Sequence, residues 1–176
     1  MKGLENRSIR LRALEPEDLD ILYTWENNPD IWHLSTILAP WSRHVLRQYL
    51  AQAAEDIYTQ KQLRLLIETR DDERPLGAID LHDFDAHHRR AGVGILIAEP
   101  ADRRQGYARE ALETLISYSF NILNLNQLHC LVKPDNEASL ALFKGAGFKV
   151  SGEIKAWHFA NGRFHDMLFL QCLQPL

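Results

Sequence analysis

The chain has 176 residues, with 20 Lys and Arg against 24 Asp and Glu, so its formal charge is −4. That length fits one domain with a sizeable core, expected to span residues 1–176, and the acidic excess argues against nucleic acid as a partner, because neutralising phosphates needs a basic surplus. Charged residues at 25% and hydrophobic residues at 45% exclude disordered and fibrous classes.

Alternation from residue 8 to 13 (Ser-Ile-Arg-Leu-Arg-Ala) marks a half-buried strand. Glu15-Pro16-Glu17-Asp18 opens a helix, with proline and acids suited to its first turn, and Asn27-Asn28-Pro29 stops it. Ser42 is the expected N-cap of a second helix whose inner face carries Val45, Leu46, Tyr49, Leu50 and Ala53. Three strands follow, at 63–68, 76–81 and 91–98, the last two joined by a polar connection over 83–90. An apolar stripe from Ala111 to Leu123 gives a long helix, 127–132 a short buried strand, and Asp135-Asn136-Glu137 the cap of another helix. Two closing strands, about 149–159 and 163–173, turn at Asn161-Gly162, a strong hairpin pair. The order βααβββαβαββ predicts a three-layer α/β (α+β) architecture. Its central mixed, mostly antiparallel sheet has about six to seven strands flanked by about four helices on both faces.

Neither cysteine suggests a disulfide framework or a zinc site; Cys130 and Cys172 lie in apolar stretches and read as buried thiols. No apolar run approaches the ~18 residues of a spanning helix, and the first residues carry no apolar signal core. A cytoplasmic protein without a membrane partner is expected. His82, His87 and His88 with Asp83 and Asp85 resemble a metal-ligand cluster in composition, but their spacing favours a solvated turn, so no metal site is expected.

The chemistry is written most clearly between residues 95 and 110. A buried strand runs into a polar turn, and Arg103-Arg104-Gln105-Gly106-Tyr107-Ala108 then opens a long helix. Free N–H groups, a positive helix end and small residues at Gly106 and Ala108 suit an anion there, and an ordinary strand-to-helix connection with solvated arginines is the other reading. Arg103-x-x-Gly106-x-Ala108 is similar to the pyrophosphate loop of the GNAT N-acetyltransferases. Asn136-x-x-Ser139-x-x-Leu142-Phe143-x-x-x-Gly147-Phe148 resembles that family's second block, in the same order and at a similar spacing.

The resemblance covers nearly the whole chain and implies the GNAT fold and acetyl-CoA as cosubstrate. It implies that residues Arg103, Arg104, Gln105, Gly106, Tyr107 and Ala108 hold the pyrophosphate through backbone N–H groups. By the same resemblance, backbone at Ile95 and Ile97 pairs with the pantetheine amides, Asn136 and Ser139 meet the pantetheine arm, and Phe143 lies near the thiol end. Gly92 and Gly94 weaken a strand and mark a bulge or a close backbone approach; in the family a bulge here aims an N–H at the thioester carbonyl, stabilising developing negative charge.

Within the family the chain is most like bacterial spermidine and diamine N-acetyltransferases, on residues 76–81, 118–125 and 161–166. That implies direct attack of a primary amine, with Asp80 as the first candidate base and Glu26 as the second. It also implies a homo-oligomer, a dimer or larger, joined through the late strands. Two departures stand out. Phe143 occupies a position where the family often has a tyrosine proton donor, and residues 34–41 carry none of the carboxylates that receive a polycation in the polyamine enzymes. A protein N-terminus, an amino sugar, or a role as a low-activity acyl-CoA sensor therefore stay open beside the polyamine reading. Trp32 and Trp41 are candidates for lining the acceptor cleft or plugging the core beneath it.

Overall fold

Seven strands form one sheet in the order β1-β2-β3-β4-β5-β7-β6. They are β1 (Ile9–Ala13), β2 (Leu63–Thr69), β3 (Pro75–Asp85), β4 (Arg90–Ile97), β5 (Gln127–Val132), β6 (Lys149–Ala160) and β7 (Arg163–Leu173). The computed structural model describes residues 3–29, 39–53, 55–160 and 162–175. Five helices lie among the described residues: α1 (Leu19–Glu26), α2 (Arg43–Ala53), α3 (Ile57–Gln60), α4 (Tyr107–Asn121) and α5 (Glu137–Gly145). The mixed sheet between helices agrees with the expected architecture. Every strand pairing is antiparallel except β4 with β5.

Strand alternation sorts side chains onto two faces. Leu65 and Ile67 of β2 enter the larger core with Ala111, Leu112 and Leu115 of α4 and Phe143 of α5. Leu66, between them, points to the other side and joins Leu22 and Trp25 of α1 and Leu50 of α2. One strand thus feeds both layers, which is why β2 is buried almost throughout.

Local rules place the helices. The Ser42 hydroxyl accepts from the Val45 N–H (3.2 Å), and the Asn136 side chain accepts from Ser139 N–H (3.1 Å). The sequence expectation lacks α3, which is a single turn capped by Asp56 and closed by Lys61 at φ +57°. Four residues are too few to show a helical period. Strand β3 is longer than its apolar run, because a register shift between His82 and Asp85 lets the polar residues stay in the ladder, with Asp85 opposite Arg90. His82 therefore belongs to β3, and the connection to β4 shortens to residues 86–89. The expected turn at Asn161-Gly162 falls partly outside the described residues, as do Trp32 and residues 34–38.

An ion network ties β1 to β2 and to the start of α1. Glu68, 2% exposed, accepts from Arg10 Nε (2.6 Å) and Arg12 Nε (2.7 Å). Arg12 also grips both oxygens of Asp18 at 2.8 Å, while Asp18 takes the Glu15 N–H at 2.8 Å. Burial would raise the Asp18 carboxyl, but the Arg12 guanidinium and the Glu15 N–H outweigh it and hold it below the usual carboxylate range. Its folded value lies below the unfolded ~3.9, so its stabilisation is present above that value and is lost as pH falls through the folded one. Asp18→Asn is expected to lower stability at pH 7 by about 2 kcal/mol, a Tm drop of roughly 4–8 °C. The gap from wild type closes as the pH falls from the unfolded value through the lower folded one, as acid-range thermal melts will read.

Candidate active site

The parallel pair is short. β4 and β5 are in register only at Arg90↔Gln127, Ala91↔Leu128 and Gly92↔His129. On its other side β4 pairs with β3 without a break from Ile97 to Gly92. Beyond Gly92, the edge of β4 that faces β5 thus leaves the ladder while its opposite edge stays fixed. Backbone N–H and C=O groups on such a free edge need partners. Ile95 and Ile97 lie on this stretch.

The chain then passes Pro100–Asp102, a 3-10 turn pinned when Arg74 grips Asp102 through two bonds of 2.8 and 3.0 Å. Gly106 caps α4 at φ +89°, a left-handed conformation that suits glycine. A Cβ there would meet nothing within 4 Å, so the backbone is open to a close-approaching group. The first bond of the helix runs from the Glu110 N–H to the Gly106 carbonyl (3.1 Å), leaving the earlier N–H groups at a positive helix end. This free strand edge and helix start fit the amides and pyrophosphate of acetyl-CoA.

The arginines of this loop differ. Arg103 turns back and donates to the carbonyls of Ile97 (3.2 Å) and Ala98 (3.1 Å), fastening the loop to the end of β4. Arg109 pairs with Glu113 (2.8 Å) along the helix. Arg104, at φ +63°, and Gln105 are exposed beside Gly106, while Tyr107 and Ala108 are half-buried and pack against the core. Asn136 and Ser139 are joined by the α5 cap, which uses the Asn136 side-chain oxygen. Phe143 is 4% exposed and packs edge-on against Phe148, with ring centroids 5.1 Å apart.

The two candidate bases stand together. Arg64 of β2 donates Nε to Asp80 Oδ1 (2.6 Å) and a terminal nitrogen to Asp80 Oδ2 (3.3 Å). Its other terminal nitrogen reaches Glu26 Oε1 at 2.6 Å. Burial favours the neutral form of Arg64, but Asp80, Tyr49 and Glu26 outweigh it and hold the guanidinium charged. Both carboxylates are therefore already hydrogen-bond acceptors, and the trio carries one net negative charge. Tyr49 lies under the Arg64 guanidinium, 5.6 Å from ring centroid to cation, and burial pushes its hydroxyl up to about 12. Arg64 carries no motif, so only the register Arg64↔Asp80 between β2 and β3 reveals it.

Gly92 and Gly94 lie on this same face, without the bulge that the sequence suggested, since the β3–β4 register is continuous there. Close approach accounts for Gly92 instead. A Cβ on it would lie 2.2 Å from His82 Cε1, because the imidazole sits over the strand backbone. At Gly94 a Cβ would face Asp80 Oδ2 at 3.8 Å. His129, on the other side of Gly92, meets His82 edge-on with ring centroids 6.3 Å apart. No motif or spacing marks His129 in the sequence; only strand register brings it beside His82. Asn27 brackets the Trp41 backbone with bonds of 3.0 and 2.8 Å, so Trp41 closes the far side of α1 against Tyr49.

Comparison with known proteins agrees with this geometry. The family model described as the acetyltransferase (GNAT) domain matches residues 8–149, and the chain belongs to this family of acetyl-CoA-dependent N-acetyltransferases. The spermidine N(1)-acetyltransferase of Escherichia coli K12 is 27% identical over 164 residues, 92% of this chain and 83% of that protein. The enzyme of the same name from Vibrio cholerae is 28% identical over 174 residues, 96% of this chain and 95% of that one. A crystal structure of the Vibrio cholerae spermidine N-acetyltransferase with CoA and spermine superposes with a TM-score of 0.83 at 28% identity, covering 96% and 97% of the two chains.

Among the described residues no group of three or more His, Cys, Asp or Glu is placed to hold a metal ion, and no helix is long and apolar enough to cross a membrane. Cys130 lies on β5 where that strand leaves β4, and burial pushes its thiol up to about 12. A thiol so protonated is no nucleophile at neutral pH. A disulfide reagent at pH 8 is expected to leave Cys130 and Cys172 unmodified in the folded protein and to titrate both in denaturant.

Proposed function

We propose that this enzyme acetylates a primary amine of a polyamine or diamine by direct transfer from acetyl-CoA. The observation that carries the proposal is the parting of β4 from β5 between the start of α4 and the Glu26–Arg64–Asp80 trio. In this reading the N–H groups from Arg104 to Ala108 receive the pyrophosphate, and the free edge around Ile95 and Ile97 receives the pantetheine amides. Arg103 acts through its hold on the strand end, and Asn136 and Ser139 fix the start of α5 beside the arm. The acceptor enters over the opposite face, where a net negative charge beside Gly94 attracts an ammonium group.

Likeness to spermidine N-acetyltransferases over nearly the full chain supports this acceptor class. Phe143 offers no hydroxyl, so the departing thiolate takes its proton from water or from another donor. A homo-oligomer joined through the late strands belongs to the same reading. It is supported by β6 at the sheet edge and by Trp157, Phe159 and Phe164, each more than half exposed on the β6–β7 hairpin. A cytoplasmic location, where acetyl-CoA and polyamines meet, completes it.

Thiol release from acetyl-CoA is expected to be saturable with putrescine, spermidine or spermine and weaker with amino sugars, amino acids and short peptides. Silence with every amine, alongside measurable acetyl-CoA binding, would replace catalysis with acyl-CoA sensing. Gly106→Asp, which strains the left-handed cap and sets a carboxylate against the pyrophosphate, is expected to weaken CoA binding by at least about tenfold in calorimetry.

A further inference from the structure

The proposed reaction needs a proton acceptor, since a primary amine arrives as an ammonium and attacks only after losing a proton. Asp80 and Glu26 both already accept from Arg64, and Tyr49, with its hydroxyl near 12, stays protonated at neutral pH. One further set of titratable groups on the same sheet face lies at the apex of the strand gap. His82 of β3, Gly92 of β4 and His129 of β5 are consecutive register partners, forming one row across three strands. Glycine in the middle lets the two imidazoles meet across the row, and it is the last paired row before β4 and β5 separate.

We infer that His129 is the base that takes the proton from the acceptor ammonium, with His82 as the positioning residue that holds its ring; the inference rests on the amine acetyltransferase reading. Asp83 Oδ2 lies 2.9 Å from His82 Nδ1 and sets that ring, and Phe169 of β7 flanks His129 at 5.4 Å between centroids. The same His129 lines a cavity of about 730 Å³ with Lys61, Asp83, Asp85, His87 and Arg90, which gives the proton an exit to solvent.

Electrostatics agree with the geometry. Burial, and then His82 and Arg90, push His129 below its ordinary value, with Asp83 opposing, so the imidazole is neutral at pH 7. The ammonium gives one proton to a neutral imidazole nitrogen, and the amine lone pair forms the C–N bond to the thioester carbonyl carbon. The C–S bond breaks, a second proton passes from the nitrogen to the departing sulfur, and the imidazolium loses its proton through the cavity. The products are the acetamide, the CoA thiol and one solvent proton.

The test combines a pH profile with an imidazole titration. In wild type, kcat is expected to fall on the acid side with a midpoint near or below the ordinary imidazole value of ~6.5. NMR is expected to show a His129 ring titrating in that same range, its signals moving when CoA and spermidine are added. His129→Gln is expected to lower kcat by about 100-fold or more at unchanged CoA affinity and Tm, and added imidazole to restore part of the rate of His129→Ala. His44→Gln, an exposed site on α2, serves as the control. An acid limb in the carboxylate range, or a His129→Gln rate equal to wild type, overturns the assignment while leaving the acetyltransferase reading intact. Should the variants fail to fold, the wild-type limb and titration decide alone. Wild type that acetylates no amine overturns both.

Discussion

A parallel strand pair cannot be closed by a tight turn, and the organisation of this protein follows from that constraint. The chain leaving β4 must cross the sheet before β5 can lie beside it, and α4 is the crossover. Its first turn is thereby placed beyond the end of β4, at the mouth of any gap between the two strands. Because β4 is held along its whole length by β3, whereas β5 is held by β7, the two halves of the sheet can diverge without losing their own ladders. Topology thus permits the opening, and it leaves the edge of β4 and the start of α4 exposed together.

The two sheet faces serve different ends. One is apolar and carries the larger core against α4 and α5. The other holds two partly buried ionic groups, Arg10–Glu68–Arg12–Asp18 near the β1 edge and Glu26–Arg64–Asp80 toward the centre. Among them Glu68 and Asp18 are buried, and a buried carboxylate is costly unless paired. The first group is shared between strand and helix start and fixes their angle. The second joins β2, β3 and the end of α1 beside the Gly94 backbone.

Elements with a local signature were legible in the sequence. Ser42 and Asn136 cap helices as their residue types and positions predict, and the helix expected to open within residues 103–108 starts at Tyr107, behind Gly106. What was not legible depends on register. His82 looked like part of a polar loop because a shift in β3 interrupts its alternation, and His129 sits in an apolar run like any strand residue. Arg64 is 16 residues from Asp80 and 38 from Glu26, distances at which no spacing rule operates. The apparent bulge signal at Gly92 had another cause, a ring from the neighbouring strand.

That ring links two positions ten residues apart in sequence. His82 occupies the space above β4 at this point by reaching over from β3. A Cβ at 92 would run into the His82 ring where it now lies, so a side chain there needs the ring to swing aside or a smaller residue at 82. A redesign of this sheet face therefore has to treat positions 82 and 92 together, although they belong to different strands.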